Sequence, residues 1–524
     1  MSAGLAQDVA DGAARLPSGG LRDAADAAAL KRSTTRGVAW QFAGAVWQTV
    51  VQVAASAVLA RLLFPEDFGM LGMAVLVQGL VQRVGDLSAA TGVIAKEEVS
   101  QADLSTAFWM SWAVQGALFV VAFAVAPWAA WFFETPDVAW VVRAISTTFL
   151  LTAAGTVSAT LLRKELRFAA LNVIDGVGFT FQSALAIVLV LAFDMNYWAL
   201  VVAMLAANVL QTAATVLYAR WRPSLVFDVS SFRHLFRYGI HGLGTSLVTY
   251  FHNNTDYLLV GKLLGPGMLG LYEFAYRIPH MAYNRLAVPV AGVMFPALSK
   301  VQTNNERLAA GYLKSVTYVS LVLFPALGGL AAVAGPAVAV IWGERWLPVV
   351  LPLQILCFRS AILSATSPAY AVFLCRDRPD IPFKFSLYTL AFTFAVVLGL
   401  GCALGLLGVA VGMLLSTGPS AVLFWLACRM TRTPLRRVLA SLAPAAVSAT
   451  VSSLLALATM HWTMAWSNSH LLALGLGILA GAAAYLLVIA LRFGDTARDV
   501  FRTLRLALGQ DPAPRAATPE VRDA

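Results

Sequence analysis

The 524-residue chain is 59% apolar and only 12% charged, whereas soluble domains run to roughly 45–50% and about 25%. That balance argues against a soluble enzyme and leaves no room for a sizeable domain outside a membrane. The net charge of +10, from 37 Lys and Arg against 27 Asp and Glu, would suit a nucleic-acid partner, but the cations sit in short breaks between apolar runs and track a membrane instead.

Residues 1–35 are rich in Ala, Gly, Asp and Arg with no central apolar run. They read as a disordered tail rather than a signal peptide. Fourteen apolar runs follow, each about the 20 residues that a helix needs to cross a bilayer. They predict spans at 38–60, 68–90, 106–132, 138–161, 170–192, 197–219, 238–261, 268–296, 313–341, 349–374, 384–403, 405–428, 438–460 and 470–491. Uniform apolarity without alternation excludes barrel strands, so the fold class is an all-α polytopic membrane protein.

Most Lys and Arg fall in the tails and the even-numbered loops. The odd-numbered loops carry only Arg61, Lys262 and Arg345, while Arg83, Arg143, Arg277, Arg285 and Arg359 lie inside spans. Positive loops stay cytoplasmic, which places both termini inside and requires an even number of crossings. Phe232-Arg-His-Leu-Phe-Arg237 and the set Val500, Phe501, Leu504 and Leu508 have helical spacing suited to lying on the cytoplasmic leaflet. The same spacing also fits solvated helix faces beside the membrane. Cys357, Cys375, Cys402 and Cys428 have neither metal-like nor paired spacing and read as buried apolar filler.

One stretch occurs twice. Leu59-Ala-Arg-Leu-Leu-Phe-Pro-Glu-Asp-Phe-Gly69 is matched, 201 positions on, by Val260-Gly-Lys-Leu-Leu-Gly-Pro-Gly-Met-Leu-Gly270. The cation, the Leu pair, the Pro and the final Gly recur in register. Each copy alone is turn chemistry between helices. Their shared spacing argues for duplicated halves, which in membrane carriers place the working site at their interface.

Polar groups at membrane depth are the informative residues, because a charge there costs about 2.5–3.5 kcal/mol on insertion scales and must face protein or water. His241, Thr245, Thr249, His252 and Asp256 share one face of span seven, with Asn253 beside it. Glu273, Arg277, His280 and Asn284 do the same in span eight, flanked by Arg285. Gln41, Gln48 and Gln52 line span one; Gln78, Gln82 and Asp86 line span two beside Arg83. A water-filled chamber bounded by spans one, two, seven and eight would solvate all four stripes. The competing reading makes Glu273–Arg277 and Arg83–Asp86 helix-stabilising ion pairs, and His252 and His280 hydrogen-bonded packing residues. Arg143 near the start of span four fits an outer interface position from which it snorkels.

The substrate-binding candidates are therefore Arg83, Arg277, Arg285 and Arg359, whose planar, permanently charged forks suit a pyrophosphate, together with Gln48, Gln52, Asn253, His280 and Asn284. Asp86, Asp256, Glu273 and His252 are candidates for a coupling cation or proton. No nucleophile-base set, metal-spaced His/Cys group or phosphate-cradling glycine loop suggests an enzyme, a metal or a cofactor.

The runs Val58–Gly69, Asn253–Pro266 continuing through Leu269–Arg277, and Phe295-Pro-Ala-Leu-Ser-Lys-Val-Gln302 resemble the polysaccharide transport family. These are lipopolysaccharide and exopolysaccharide flippases of the multidrug/oligosaccharidyl-lipid/polysaccharide exporter superfamily, and the likeness covers roughly residues 36–430. The resemblance implies two six-helix lobes around a central cavity, at 36–222 and 238–430, joined by an interfacial linker at 223–237. Two further helices at 431–492 and a cytoplasmic segment at 493–524 complete the layout. It also implies flipping of undecaprenyl-pyrophosphate-linked oligosaccharide across the bacterial inner membrane, with polymerase and chain-length proteins of the same pathway as partners. The family has no short signature that assigns individual residues; Arg277 and Arg285 suit its cationic cavity by character. A multidrug or organic-cation antiporter of the same superfamily is the alternative, although its cargo would want fewer arginines. A membrane polysaccharide polymerase or ligase would need larger external loops than these.

Overall fold

A computed structural model describes residues 44, 46–84, 99–165, 167–226, 243–467, 469–494 and 498. Both tails, the segment at 232–237, Gln41, Asp86, His241, Val500, Phe501, Leu504 and Leu508 lie outside the described residues. Among the described residues there is no strand, and ten helical stretches are long and apolar enough to cross a membrane.

The helices are α1 (Val46–Leu62), α2 (Pro65–Val84), α3 (Gln101–Phe133), α4 (Val138–Lys164), α5 (Phe168–Phe193) and α6 (Tyr197–Ala219). A long stretch, Leu243–Ser299, breaks at Gly265 into two arms, α7 (243–264) and α8 (266–299). There follow α9 (Asn305–Ile341), a 3-10 turn (Glu344–Val349), α10 (Val350–Thr366), α11 (Pro368–Cys375) and α12 (Asp380–Leu415), which breaks at Gly405. The chain closes with α13 (Gly418–Met430), α14 (Leu435–Ser467) and α15 (His470–Arg492). The expected loops between spans seven and eight and between spans eleven and twelve are thus single-glycine breaks. Gly265 has φ 78° and ψ −177°, a region that only glycine enters freely.

Several helices overrun the predicted spans, because hydropathy marks the depth of the bilayer and capping marks where a helix ends. Asn304 accepts from the N–H groups of Glu306 and Arg307 at 3.0 and 3.1 Å, which starts α9 eight residues before its apolar run at 313. At α2, Pro65 needs no N–H partner, and Asp67 accepts from the Phe64 N–H at 2.8 Å.

The chain forms two compact units. The first holds Leu80–Ala126, Trp140–Ser246 and the chain up to Leu59. Its core gathers Val81, Leu118, Ala122 and Phe149, and below them Leu104, Ala107, Met110 and Val157. The second holds Ala60–Gly79, Pro127–Ala139 and the chain from Leu247 onward. There α9, α14 and α15 close on one another through small residues: Gly481 meets Ala456 and Ser452, and Gly477 meets the Ala456 carbonyl. In lipid, which offers no hydrophobic drive between helices, such close approach is what holds them. The outward faces of α14 and α15 expose Leu454, Trp462, Leu479 and Leu486, as membrane-facing surfaces do. Of the four cysteines, Cys402 corrects the expectation: it is exposed on α12, where an apolar thiol can face lipid, while the other three are buried.

The duplicated stretch meets itself within the second unit. A Cβ on Gly69 would overlap the Pro266 carbonyl, and a Cβ on Gly270 would overlap the Pro65 carbonyl. The two contacts are exchanged by the 201-residue offset, so the copies pack as a local two-fold pair. Their cations cross over in the same way. Arg61 donates to the Val340 carbonyl at the end of α9 at 2.5 Å, and Lys262 donates to Glu134 at the end of α3 at 2.7 Å. Lys262 holds the Glu134 carboxyl below its ordinary value, so this pair persists at neutral pH and is lost only as the pH falls through that lowered value.

Candidate functional site

The charged candidates of the second unit gather where α7, α8 and α10 pack. Asp256 is 1% exposed, and its Oδ2 accepts from the Tyr272 hydroxyl at 2.6 Å. Tyr272 stacks beside Tyr276 and both meet Tyr257 edge-on, with centroids 5.3–5.8 Å apart. The Arg359 guanidinium lies 5.6 Å from the Tyr276 ring centroid, within electrostatic range of Asp256. A carboxylate bonded to one tyrosine and a guanidinium beside the next therefore share the interior of the unit.

Among the described residues, three buried polar atoms here find no hydrogen-bond partner: Oδ1 of Asp256, Nδ1 of His252 and Nε of Arg359. Each such atom costs about 1–3 kcal/mol unless something polar reaches it. Such atoms are what a site for water, a proton or a polar ligand presents. Tyr272→Phe, which would leave both oxygens of Asp256 unserved, is expected to cost about 1.5–3 kcal/mol, the worth of a hydrogen bond to a charged group. Thermal unfolding in detergent measures it, with Tyr257→Phe as the comparison.

Further along α8, Glu273 and Arg277 form the i, i+4 ion pair, and Arg277 also lies 5.8 Å from the Phe274 ring centroid. The two are thus paired along the helix, as the helix-pairing reading expects. His280 stacks on Tyr276 at 4.7 Å, and its Nε2 lies 2.8 Å from the Asn284 amide. Asn253, Asn284 and Arg285 are exposed.

The structure brings together Asp256 with Arg359, Glu273 with Arg277, and His280 with Asn284. Gln48, Gln52 and Arg83 belong to the first unit; the two glutamines are half-buried and Arg83 is exposed at the end of α2. Arg143 lies between the rings of Phe123 and Trp140, 4.9 and 5.0 Å from their centroids, so its charge is sheltered by aromatic faces. Sequence reasoning missed the tyrosines. The signal was present: Tyr272, Tyr276, His280 and Tyr283 recur in steps of four, four and three on the very helix that carries the charged stripe.

A family described as polysaccharide biosynthesis protein matches residues 58–351. The lipopolysaccharide biosynthesis protein WzxC of Escherichia coli (strain K12) is 27% identical over 393 residues, covering 74% of this chain and 79% of WzxC. The teichuronic acid biosynthesis protein TuaB of Bacillus subtilis (strain 168) is 25% identical and covers 91% of this chain and 99% of TuaB. Among solved structures, the lipid II flippase MurJ in an inward closed conformation matches with a TM-score of 0.70 at 14% identity, over 88% of this chain and 99% of that one. An inward-facing multidrug resistance MATE transporter of the MOP superfamily matches at 0.55 and 16% identity, over 75% and 95%. The chain therefore has the MurJ and MATE fold of multi-pass membrane transporters.

Proposed function

The chain belongs to the polysaccharide biosynthesis protein family, and we propose that it flips polyprenyl-pyrophosphate-linked oligosaccharide repeat units across the bacterial inner membrane. The repeat units would serve exopolysaccharide, O-antigen or capsule assembly. Dividing the ten long stretches at Gly265 and Gly405 gives twelve, and counting α1 and α2 with them supports a reading of fourteen crossings, as two six-helix lobes and two further helices. The bias of Lys and Arg toward even-numbered loops supports cytoplasmic termini.

The observation that carries the reading is the set of arginines within apolar spans, Arg277, Arg285 and Arg359, in a chain with that family and fold. A pyrophosphate needs multiple fixed cations away from bulk water, and planar guanidinium groups supply them. An apolar groove of about 630 Å³ between α9, α10 and α14, lined by Phe324, Leu327, Ile355, Phe358 and Leu457, suits a prenyl chain left in lipid. Alternating access would carry the headgroup between leaflets. Asp256, Glu273 and His252 are the groups through which a proton or cation could be exchanged, and pathway polymerase and chain-length proteins are the expected partners.

The test is depletion of the protein in cells pulsed with labelled sugar. Lipid-linked repeat units should accumulate on the cytoplasmic leaflet, and their absence there refutes the proposal. Arg285→Ala, at an exposed position, is expected to lower polymer export about tenfold or more, the worth of one charge-assisted bond of about 1.5–3 kcal/mol. Resistance to cationic dyes should not change; a fall in resistance with export intact would favour a drug antiporter.

A further inference from the structure

The duplicated stretch does more than record ancestry, because the two sides of its two-fold contact are built unequally. On the first copy's side the ties are several: those of Arg61 and Arg345 lie at exposed residues, and those of Trp346 and its neighbouring rings are buried. Arg61 bonds the Val340 carbonyl, and the fully buried Trp346 donates to the Ala60 carbonyl at 2.8 Å. The Arg345 guanidinium lies 4.1 Å from the Phe64 ring centroid. Phe68, Phe274, Trp342 and Trp346 complete the knot, with ring centroids 4.1–5.6 Å apart. On the second copy's side the polar tie among the described residues is one ion pair, Lys262–Glu134, with side chains 34% and 77% exposed, beside Lys262 over the Phe132 ring and the buried Phe133 ring packed on Gly261. Between the two sides sit the paired glycine–carbonyl contacts of Gly69 and Gly270.

We propose that this face of the protein is a one-sided clasp: the Arg61–Trp346 side is its hinge, and Lys262–Glu134 is the latch released when the odd-loop side opens. The inference rests on the transport reading, since a carrier must open each face in turn. The asymmetry of the ties decides which side yields. An exposed ion pair is weak because water and salt screen it, whereas the buried aromatic packing and the Trp346 hydrogen bond on the other side must be lost together. An opening motion therefore takes the weak side first. A latch this weak also suits a gate, because breaking it shifts the closed–open balance by only a few-fold and leaves both states within reach.

The test uses the full-length protein carrying Cys402→Ser, with Met70→Cys as reporter beside the glycine contact; Met70 is 6% exposed. A membrane-impermeant maleimide is applied from the odd-loop side in the absence of substrate. Labelling of residue 70 should be slow in the parent, about two- to fivefold faster in E134Q, and faster still in E134K, where two cations oppose each other. The charge-swapped double variant E134K/K262E should return to the parent rate. Parent-like labelling in E134K, or a double variant as fast as E134K, overturns the latch. Arg61→Lys, which keeps the cation, should lower thermal stability without speeding labelling; acceleration equal to E134K would overturn the hinge. Because labelling needs no lipid-linked sugar, the two ideas fail separately. Normal latch behaviour without flipping sinks the flippase reading, and flipping with unresponsive labelling sinks the latch.

Discussion

Gly69→Ala and Gly270→Ala are each expected to abolish polymer export while the protein still reaches the membrane. In both cases the new methyl group would occupy the space of a backbone carbonyl oxygen, of Pro266 or of Pro65. A flexible side chain could move aside; a carbonyl at the first turn of a helix can move only if the helix moves. Overpacking in a tight interior costs typically 1–3 kcal/mol, and backbone obstruction belongs at or above the top of that range. The cost falls on the closed clasp, so the variants should accumulate with the odd-loop side open, labelled fast at a Met70→Cys reporter and unable to complete a cycle. Gly329→Ala and Gly475→Ala are the comparisons. Neither would meet anything within 4 Å, and alanine in a helix is favoured over glycine by about 0.4–1 kcal/mol. Export that survives in the Gly69 and Gly270 variants as it does in these comparisons would show that the two-fold contact is incidental. Because the 201-residue offset exchanges the two positions, the two variants should also resemble each other more than either resembles any other glycine replacement.

That contact was half legible in the sequence. The recurrence of cation, Leu pair, Pro and Gly showed that Pro65–Gly69 and Pro266–Gly270 are the same device, and turn chemistry placed each between helices. Nothing in a linear pattern shows that two copies of a device touch, because pairing is a long-range fact and each copy is locally complete without it. The crossing of the cations is harder still. Arg61 reaches the end of α9, and Lys262 the end of α3, so each copy's partner lies in the other half of the chain. The spans themselves were legible because a bilayer imposes a length and an apolarity that few other constraints disturb. Their ends were not, because caps such as Asn304 extend helices beyond the apolar depth.

The charged stripes fared likewise. Helical spacing put Glu273, Arg277, His280 and Asn284 on one face, and the structure pairs them along it. What spacing could not supply was Arg359 beside Tyr276, since α10 lies more than 80 residues further on, a distance that no periodicity spans. The tyrosines were overlooked for a chemical reason: an aromatic stripe in a membrane helix ordinarily means packing or an interfacial belt. Only their contacts with Asp256 and Arg359 give them a polar task.

Those contacts make the second large prediction. Asp256→Asn leaves Arg359 without its nearest opposing charge in the interior, and Arg359→Met does the same to Asp256. Either single change is expected to destabilise by at most about 3–5 kcal/mol, the cost of breaking a buried pair in direct contact, because each of the two contacts a tyrosine and they form no salt bridge with one another. The double variant removes both charges, and a neutral pair of similar volume commonly restores most of the lost stability. Stability and transport should then part company. A network that served only packing would let the double variant flip lipid-linked sugar as the parent does. A network that binds substrate or exchanges a proton would leave the double variant folded and inactive, because the amide and the thioether can neither hold a phosphate nor take up and release a charge. The expected outcome is the second. The unserved atoms Oδ1 of Asp256 and Nε of Arg359 are costly for a packing network and useful to one that meets a ligand. Thermal unfolding in detergent and flipping in reconstituted vesicles, measured on the same four proteins, separate the two; recovery of both together in the double variant would reduce this cluster to structural support.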